Sequence, residues 1–217
     1  MSDLSLYLPF TPPAEGGGGY GFLRLFEAWL TKENIPWSRK FHHRHRAVFV
    51  NSWCTSPLLL RLATLRHPTM AVIHRVDGWP PLYGRTDGVE KELVKVNRRA
   101  DLTIYQSQWA RRVMIGQLQD GPVIYNPVDV EMFTPNGARL SYGASPRVAI
   151  VSWSENPTKG LGMYRTIIHA QRDVSFVNCG RLLIGHAPNL RSLGEVPHTQ
   201  MPTILRGCDA LLTMSQH

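Results

Sequence analysis

The sequence predicts an α/β protein built from two domains, each with a doubly wound parallel sheet. Three observations carry this reading. Short apolar runs alternate with amphipathic segments of helical spacing along the chain. The alternation pauses at a polar, glycine-containing stretch, 136–146, and then restarts. Glycine (18) and proline (16) are plentiful enough to supply many tight strand–helix turns. This places a first domain at 1–135, a linker at 136–146, and a second domain at 147–217.

Each element has a local reason. Residues 4–10 are apolar and extended, and 11–19 form a Pro/Gly-rich loop. Over 20–32, Phe22, Leu25, Phe26, Trp29 and Leu30 recur on one helical face. The run 47–53 is a second strand. Ser56-Pro57 opens a helix to residue 66, with a capping serine and proline at the first helical position. Residues 70–74 are a third strand, 86–99 an amphipathic helix, and 102–106 a fourth strand. Ser107 caps a helix over 108–118, and 123–125 is a fifth strand. Asn126-Pro127 stops that strand, Asp129 can cap one helical turn, and Phe133 is an apolar anchor. The second domain reads as strand 148–152, helix 160–171, strands 174–179 and 190–196, helix 200–207, and strand 210–214.

Apolar residues make up 43% and charged residues 18%, ordinary for a globular chain that avoids the bilayer core. No run of about 18 apolar residues spans a membrane, and no secretory leader is recognisable. Cys54, Cys179 and Cys208 are odd in number and far apart, which suits neither a disulfide framework nor a zinc site; a reducing, cytoplasmic setting is expected. The net charge is +8, and the first 120 residues hold 16 Lys and Arg against 10 Asp and Glu. Such an excess suits phosphate-bearing partners. Its densest part is RKFHHRHR, with Arg39, Lys40, Arg44 and Arg46. Two readings stand there: a solvated loop, or a contact with an acceptor or an anionic membrane surface. His42, His43 and His45 lack a carboxylate or cysteine at ligand spacing, so no metal is expected.

The residues able to carry chemistry lie just past strands, where α/β folds place their sites. Gly16, Gly17, Gly18 and Gly19 lie between the first strand and its helix, so backbone can approach a ligand and free N–H groups can meet a phosphate; a plain flexible loop is the alternative. His74 ends the third strand in VIHRVDGW, and Asp77 comes shortly after; the pair suits proton transfer, or else a structural histidine beside an Asp-Gly turn. Arg75, Trp79 and Arg85 could line the same place. Lys159 precedes Gly160 at a helix start, a good phosphate site or an ordinary turn, and Arg181 stands in the equivalent position after the next strand.

Taken together, GPVIYNPVDVEMFTP at 121–135, the lysine-glycine pair after the sixth strand, and LGEVPHTQMPTILRGCDALLTMS resemble retaining, nucleotide-sugar-dependent glycosyltransferases of family 4 with the GT-B fold. The resemblance covers nearly the whole chain. It implies two Rossmann-like domains and transfer of a sugar from a nucleoside diphosphate to a hydroxyl on a glycan, lipid-linked or other acceptor. It implies that Gly16 to Gly19 approach the diphosphate, that His74 lies near the transferred sugar, and that Lys159 holds the phosphates. It implies no cofactor and no essential metal. The expected setting is cytoplasmic, either free or peripheral at the inner membrane surface.

Two departures stand out. Ser152-Trp153-Ser154 occupies the place of the family's Gly-Arg pair, so that phosphate contact is either missing or supplied elsewhere, with Arg181 the candidate. The family's two glutamates, which come after a serine matching Ser215, fall beyond His217. The expectation is a fragment, its second domain incomplete, with impaired donor binding. A non-catalytic module that binds a glycan or an anionic surface is the alternative. Nucleic-acid binding is disfavoured, because no recognition motif accompanies the charge, and a nicotinamide site lacks its glycine fingerprint.

Overall fold

The structure, a computed structural model, describes residues 5–12, 18–154 and 156–215. The chain divides into two compact units, Met1–Pro127 and Val128–His217.

The first unit holds β1 (Leu6–Tyr7), α1 (Gly18–Lys32), β2 (Trp37–Ser38), β3 (Ala47–Asn51), α2 (Pro57–Arg66), β4 (Ala71–Val76), α3 (Val89–Asn97), β5 (Leu102–Tyr105) and α4 (Gln108–Met114). Its strands form one sheet in the order β2-β1-β3-β4-β5, every pairing parallel. All five residues of β3 are buried, as a strand covered on both faces requires. Alternation sorts its side chains. Val48 and Val50 pack with Leu60 and Ala63 of α2 and Val96 of α3, whereas Ala47 and Phe49 pack with Leu23 and Leu30 of α1.

The second unit holds β6 (Arg147–Ser152), α5 (Leu161–Ala170), β7 (Ser175–Gly180), β8 (Leu190–Gly194), α6 (Met201–Arg206) and β9 (Ala210–Leu212). Its parallel sheet runs β8-β7-β6-β9. Residues leading into β6 pack with this unit. Phe133 joins the cluster of Tyr142, Val177 and Ile204, and Arg206 donates to the carbonyls of Thr134 (3.1 Å) and Ala138 (2.9 Å).

Several expected elements come out shorter. β1 is two residues long, and 123–125 makes a single parallel bridge, Tyr105 to Val123. The Tyr105 N–H donates to the Pro122 carbonyl (2.9 Å) and the Ile124 N–H to the Tyr105 carbonyl (2.9 Å), and the pairing goes no further because β5 itself ends at Tyr105. The expected helix 86–99 begins only at Val89, because Gly88 takes a left-handed conformation (φ 77°). β2, two residues without alternation, had no signal in the sequence. Ser107 caps α4 as expected, its Oγ accepting from the Ala110 N–H at 3.1 Å. Asp129 likewise accepts from the N–H groups of Glu131 (3.1 Å) and Met132 (3.0 Å).

Candidate functional site

In the first unit the polar residues gather where β3, β4 and β5 end, the carboxyl edge at which parallel α/β sheets bind ligands. Asn51 is the last residue of β3, and Ser52 comes next in a left-handed conformation (φ 47°), sparsely populated for a residue with a side chain. That turn aims the Ser52 hydroxyl at Asp77. The hydroxyl donates to Asp77 Oδ1 and accepts from the Asp77 N–H at 3.1 Å. The second carboxylate oxygen, Oδ2, faces the start of α1. A Cβ built on Gly19 would lie 2.5 Å from it, so glycine is what lets the helix start and the carboxylate come this close.

Arg75 is 1% exposed and ties four segments together. Its Nη1 donates to Asn51 Oδ1 at 2.5 Å, and its Nη2 to Asn126 Oδ1 at 2.5 Å and Gln106 Oε1 at 3.2 Å. The guanidinium lies 3.9 Å from the centre of the Phe22 ring, and Nη1 is 3.9 Å from Asp77 Oδ2. Its Nε has no hydrogen-bond partner among the described residues. Gln106 also donates to the Asp77 carbonyl, and Asn126 donates to Gln106 Oε1 at 3.2 Å. The asparagine of the NPVD motif is therefore a member of this cluster.

His74 points the other way. Alternation along β4 places it with Val72 and Val76, and it is 0% exposed. Its Nε2 donates to the Ser52 carbonyl at 2.9 Å, while Nδ1 accepts from Asn97 Nδ2 at 3.1 Å, which also reaches Thr103 Oγ1 at 2.8 Å. Burial pulls its pKa down to about 4, so the ring is neutral. This corrects the expectation of a histidine lying against substrate: both ring nitrogens are engaged inside the unit, and its link to the site runs through Ser52. Cys54 stands near the carboxylate, but burial first and Asp77 second push its thiol up to about 11, which makes it a poor nucleophile at neutral pH.

In the second unit the corresponding edge is built differently. The loop after β6 is a chain of side-chain-closed turns. Ser154 N–H donates to Ser152 Oγ (3.4 Å), Asn156 N–H to Ser154 Oγ (3.2 Å), and Thr158 N–H to Asn156 Oδ1 (2.9 Å). The loop ends at Lys159, whose Nζ reaches Ser215 Oγ beyond β9 at 3.4 Å. Gly160 is next, at φ 82°, and a Cβ there would meet the Met214 Cβ and carbonyl oxygen at 2.5 Å. Arg181 stands just past β7, its N–H donating to the Ser152 carbonyl at 2.9 Å and its side chain forming an ion pair with Glu195.

The remaining candidates fall elsewhere. Gly16 and Gly17 lie outside the described residues, whereas Gly18 and Gly19 open α1. Arg39 is used internally: it donates to the Phe10 carbonyl and pairs with Glu27 at 2.5 Å, fastening α1 to the segment after β1. That corrects its reading as a surface cation. Lys40 is exposed just past β2, the edge strand. Arg44 and Arg46 are exposed at the opposite edge of the sheet from Asp77, where the Arg46 N–H donates to the Ser5 carbonyl just before β1 at 2.8 Å. A groove of about 410 Å³ lies there, lined by Trp37, His42 and Arg44 among others. Asn51, Ser52, Gln106 and Asn126 were not singled out as site residues from the sequence. The signal for them was their position: Asn51, Gln106 and Asn126 are each the first polar residue after an apolar run, and Ser52 follows Asn51 directly. Among the described residues no cluster of three or more His, Cys, Asp and Glu could hold a metal ion, and no helix is long and apolar enough to cross a membrane.

Two parallel sheets, each wound with helices and each carrying polar groups at its carboxyl edge, define a two-domain α/β fold of the GT-B type. Solved structures share it. HepE from Anabaena, solved in complex with UDP, matches with TM-score 0.66 at 16% identity over 99% of this chain and 74% of that one. An alpha-glucosyltransferase solved with UDP and a 13-mer DNA containing an HMU base matches with TM-score 0.69 at 13% identity, over 99% of this chain and 73% of that one. Sucrose-phosphate synthase from Thermosynechococcus elongatus matches with TM-score 0.54 at 11% identity, over 88% of this chain and 53% of that one. No protein-family model and no curated protein matches the sequence.

Proposed function

We propose that this chain belongs to a glycosyltransferase that moves a sugar from a nucleoside diphosphate to an acceptor hydroxyl, with retention. The observation that carries the reading is the carboxylate of Asp77, held by Ser52 beside the glycine start of α1, within a fold shared with structures solved with UDP bound. In this reading Asp77 accepts a hydrogen bond from a substrate hydroxyl and fixes its orientation, the near-attack positioning that accounts for much of such catalysis. The N–H groups of Gly18 and Gly19 face the developing negative charge. His74 is a positioning residue, holding the Ser52 carbonyl and so the turn that aims the hydroxyl at Asp77. On the second unit, Lys159 supplies a point charge to the leaving diphosphate, assisted by Arg181. The nucleotide-sugar is substrate, and no resident cofactor is needed. The acceptor is a glycan, a lipid-linked sugar or another hydroxyl compound, and the setting is cytoplasmic.

The test is calorimetric titration with UDP, GDP, ADP and their sugars, followed by an assay for nucleotide release. One nucleotide is expected to bind, and Lys159→Ala to weaken it about tenfold or more, the value of one charge-assisted contact. Asp77→Asn is expected to leave nucleotide affinity within about twofold and to lower turnover about a hundredfold. Absence of binding by every nucleotide, with no release from any donor, would overturn the proposal.

A further inference from the structure

The segment 39–46 is fastened at both ends and closed on itself in between. At its start the Arg39 side chain donates to the Phe10 carbonyl and pairs with Glu27 at 2.5 Å. At its end the Arg46 N–H donates to the Ser5 carbonyl at 2.8 Å. Between these anchors the chain turns at 42–45. The His45 N–H donates to the His42 carbonyl at 3.1 Å, and the His42 N–H donates in return to His45 Nδ1 at 3.0 Å. A main-chain N–H can only donate, so Nδ1 carries a lone pair and the neutral ring holds its proton on Nε2.

The surroundings of that ring suit an uncharged imidazole. His45 is 2% exposed, whereas His42 and His43 are on the surface. Its ring is stacked on Tyr7 of β1 at 5.7 Å and stands edge-on to Phe41 at 6.4 Å. Phe41 meets Tyr7 edge-on at 5.7 Å and packs on the core cluster that holds Val48 and Leu60. The groups around His45 supply no countercharge. Burial keeps the Tyr7 phenol neutral, His42 lies 5.5 Å away ring to ring, His67 stands just past α2, and Arg44 and Arg46 flank it in sequence. Among the described residues no carboxylate is one of the groups acting on its charge. Burial first, then His42 and His67, hold its pKa below the usual histidine value; the His42 carbonyl pulls the other way, but it already accepts from the His45 N–H. The same turn lines the groove of about 410 Å³, together with Trp37 and Ser38.

We propose that His45 is a proton-operated latch: a proton on Nδ1 opens the turn at 41–45, and with it the groove, while the anchors at Arg39 and Arg46 hold. A protonated Nδ1 aims a hydrogen at the His42 N–H, so donor meets donor and the closing bond is lost. The same proton leaves a cation out of water with no carboxylate to meet it, and the charged forms of His42 and His67 oppose it. The ring therefore leaves its place and takes Phe41 with it, because the two pack on each other. The direction follows from the lowered pKa: the latch is fully closed above about pH 6.5 and opens as pH falls below that value. The latch stands apart from the glycosyl-transfer reading, since it lies at the opposite edge of the sheet from Asp77 and needs no donor.

Amide hydrogen exchange of the full chain, read by mass spectrometry at about pH 7.5 and about pH 5.5 and corrected for the intrinsic effect of pH, tests it. Opening of 41–45 is expected to rise about tenfold, the linkage of one proton over one pH unit below the ordinary histidine value. Strand β3, directly after the segment, should keep its protection. His45→Phe keeps a ring in place but has no nitrogen to titrate, so its opening should be the same at both pH values. Nitrogen-15 NMR of the imidazoles in the unaltered protein gives a second reading that needs no variant. At about pH 7.5 His45 Nδ1 should show the shift of an unprotonated nitrogen, and its titration midpoint should fall below about 6.5. Four results would overturn the proposal: opening that does not change with pH, a pH response that His45→Phe retains, a protonated Nδ1 at about pH 7.5, or an equal loss of protection in β3.

Discussion

The polar groups at the two carboxyl edges are held by opposite means. In the first unit they are inside: Arg75 is 1% exposed, bonded to Asn51, Gln106 and Asn126, and the Asp77 side chain is 20% exposed. In the second they are outside: Arg181 is 54% exposed, and Lys159 reaches Ser215 from a loop closed by short hydroxyl and amide turns. A buried network is set in place before a ligand arrives, and it fails as a whole if one member is lost. A surface cation costs the fold little, and an exposed ion pair such as Arg181–Glu195 is worth only about 0–1 kcal/mol. The first arrangement suits orientation of reacting groups, the second capture of charge.

That contrast can be broken from either side, and the largest effect is expected at Arg75. Arg75→Leu leaves the amide oxygens of Asn51 and Asn126 without their donor, and should destabilise the first unit by about 3–5 kcal/mol. Thermal unfolding should show a lower Tm for that unit, and a change under about 1 kcal/mol would mean that the network is not a unit. Next is pH. The folded pKa of His74 is about 4 against 6.5 for the free side chain, so between those values the unfolded chain binds the extra proton. Its contribution is complete above about pH 6.5 and lost as pH falls toward 4, roughly 3 kcal/mol in all. His45, also lowered by burial, adds a loss of the same sign. In His74→Gln the slope of stability against pH in that window should flatten; an unchanged slope would assign it to other groups.

Glycine substitutions sharpen the comparison at smaller scale. Gly160→Ala forces a left-handed φ and a contact with the Met214 backbone, and should cost about 1–3 kcal/mol in urea unfolding of the second unit. Gly19→Ala meets a carboxylate that can turn away, so the expected stability cost is about 1 kcal/mol or less, with a larger loss in turnover as Asp77 leaves its place. Equal losses in both readouts would show that Gly19 serves the fold alone. At the bottom of the scale, Arg181→Ala should change stability by less than about 0.5 kcal/mol, measured by the same unfolding.

Most of the fold was legible in the sequence because the buried strands are short, mainly apolar runs and the crossover helices start after turn signals. The elements that escaped are short or ended by chemistry. β2 has two residues, too few to alternate, and the pairing at Val123 is a single bridge because its partner strand β5 ends at Tyr105. The site was legible by position more than by identity. Asp77 stands directly past β4, and Gly19 and Lys159 stand at the helix starts that follow β1 and β6, where ligands bind in such sheets. Asn51, Gln106 and Asn126 stand in the same kind of place, but amides carry no charge signature and their common partner lies 24, 31 and 51 residues away in sequence. For His74 the alternation Val72, His74, Val76 already placed it on a covered face. A titratable side chain at a strand end drew the functional reading toward itself, while the neighbour on the other face held the network.

The distance between Arg75 and Asn126 also has a meaning in time. A ribosome adds about 5–20 residues per second, so 51 residues separate the two by roughly 3–10 s of synthesis. Through that interval the arginine has emerged while its last partner has not, and an incompletely matched guanidinium favours water over an apolar interior. The first sheet therefore completes its seal only when the final asparagine of its own unit is made, one proline short of where the second unit begins.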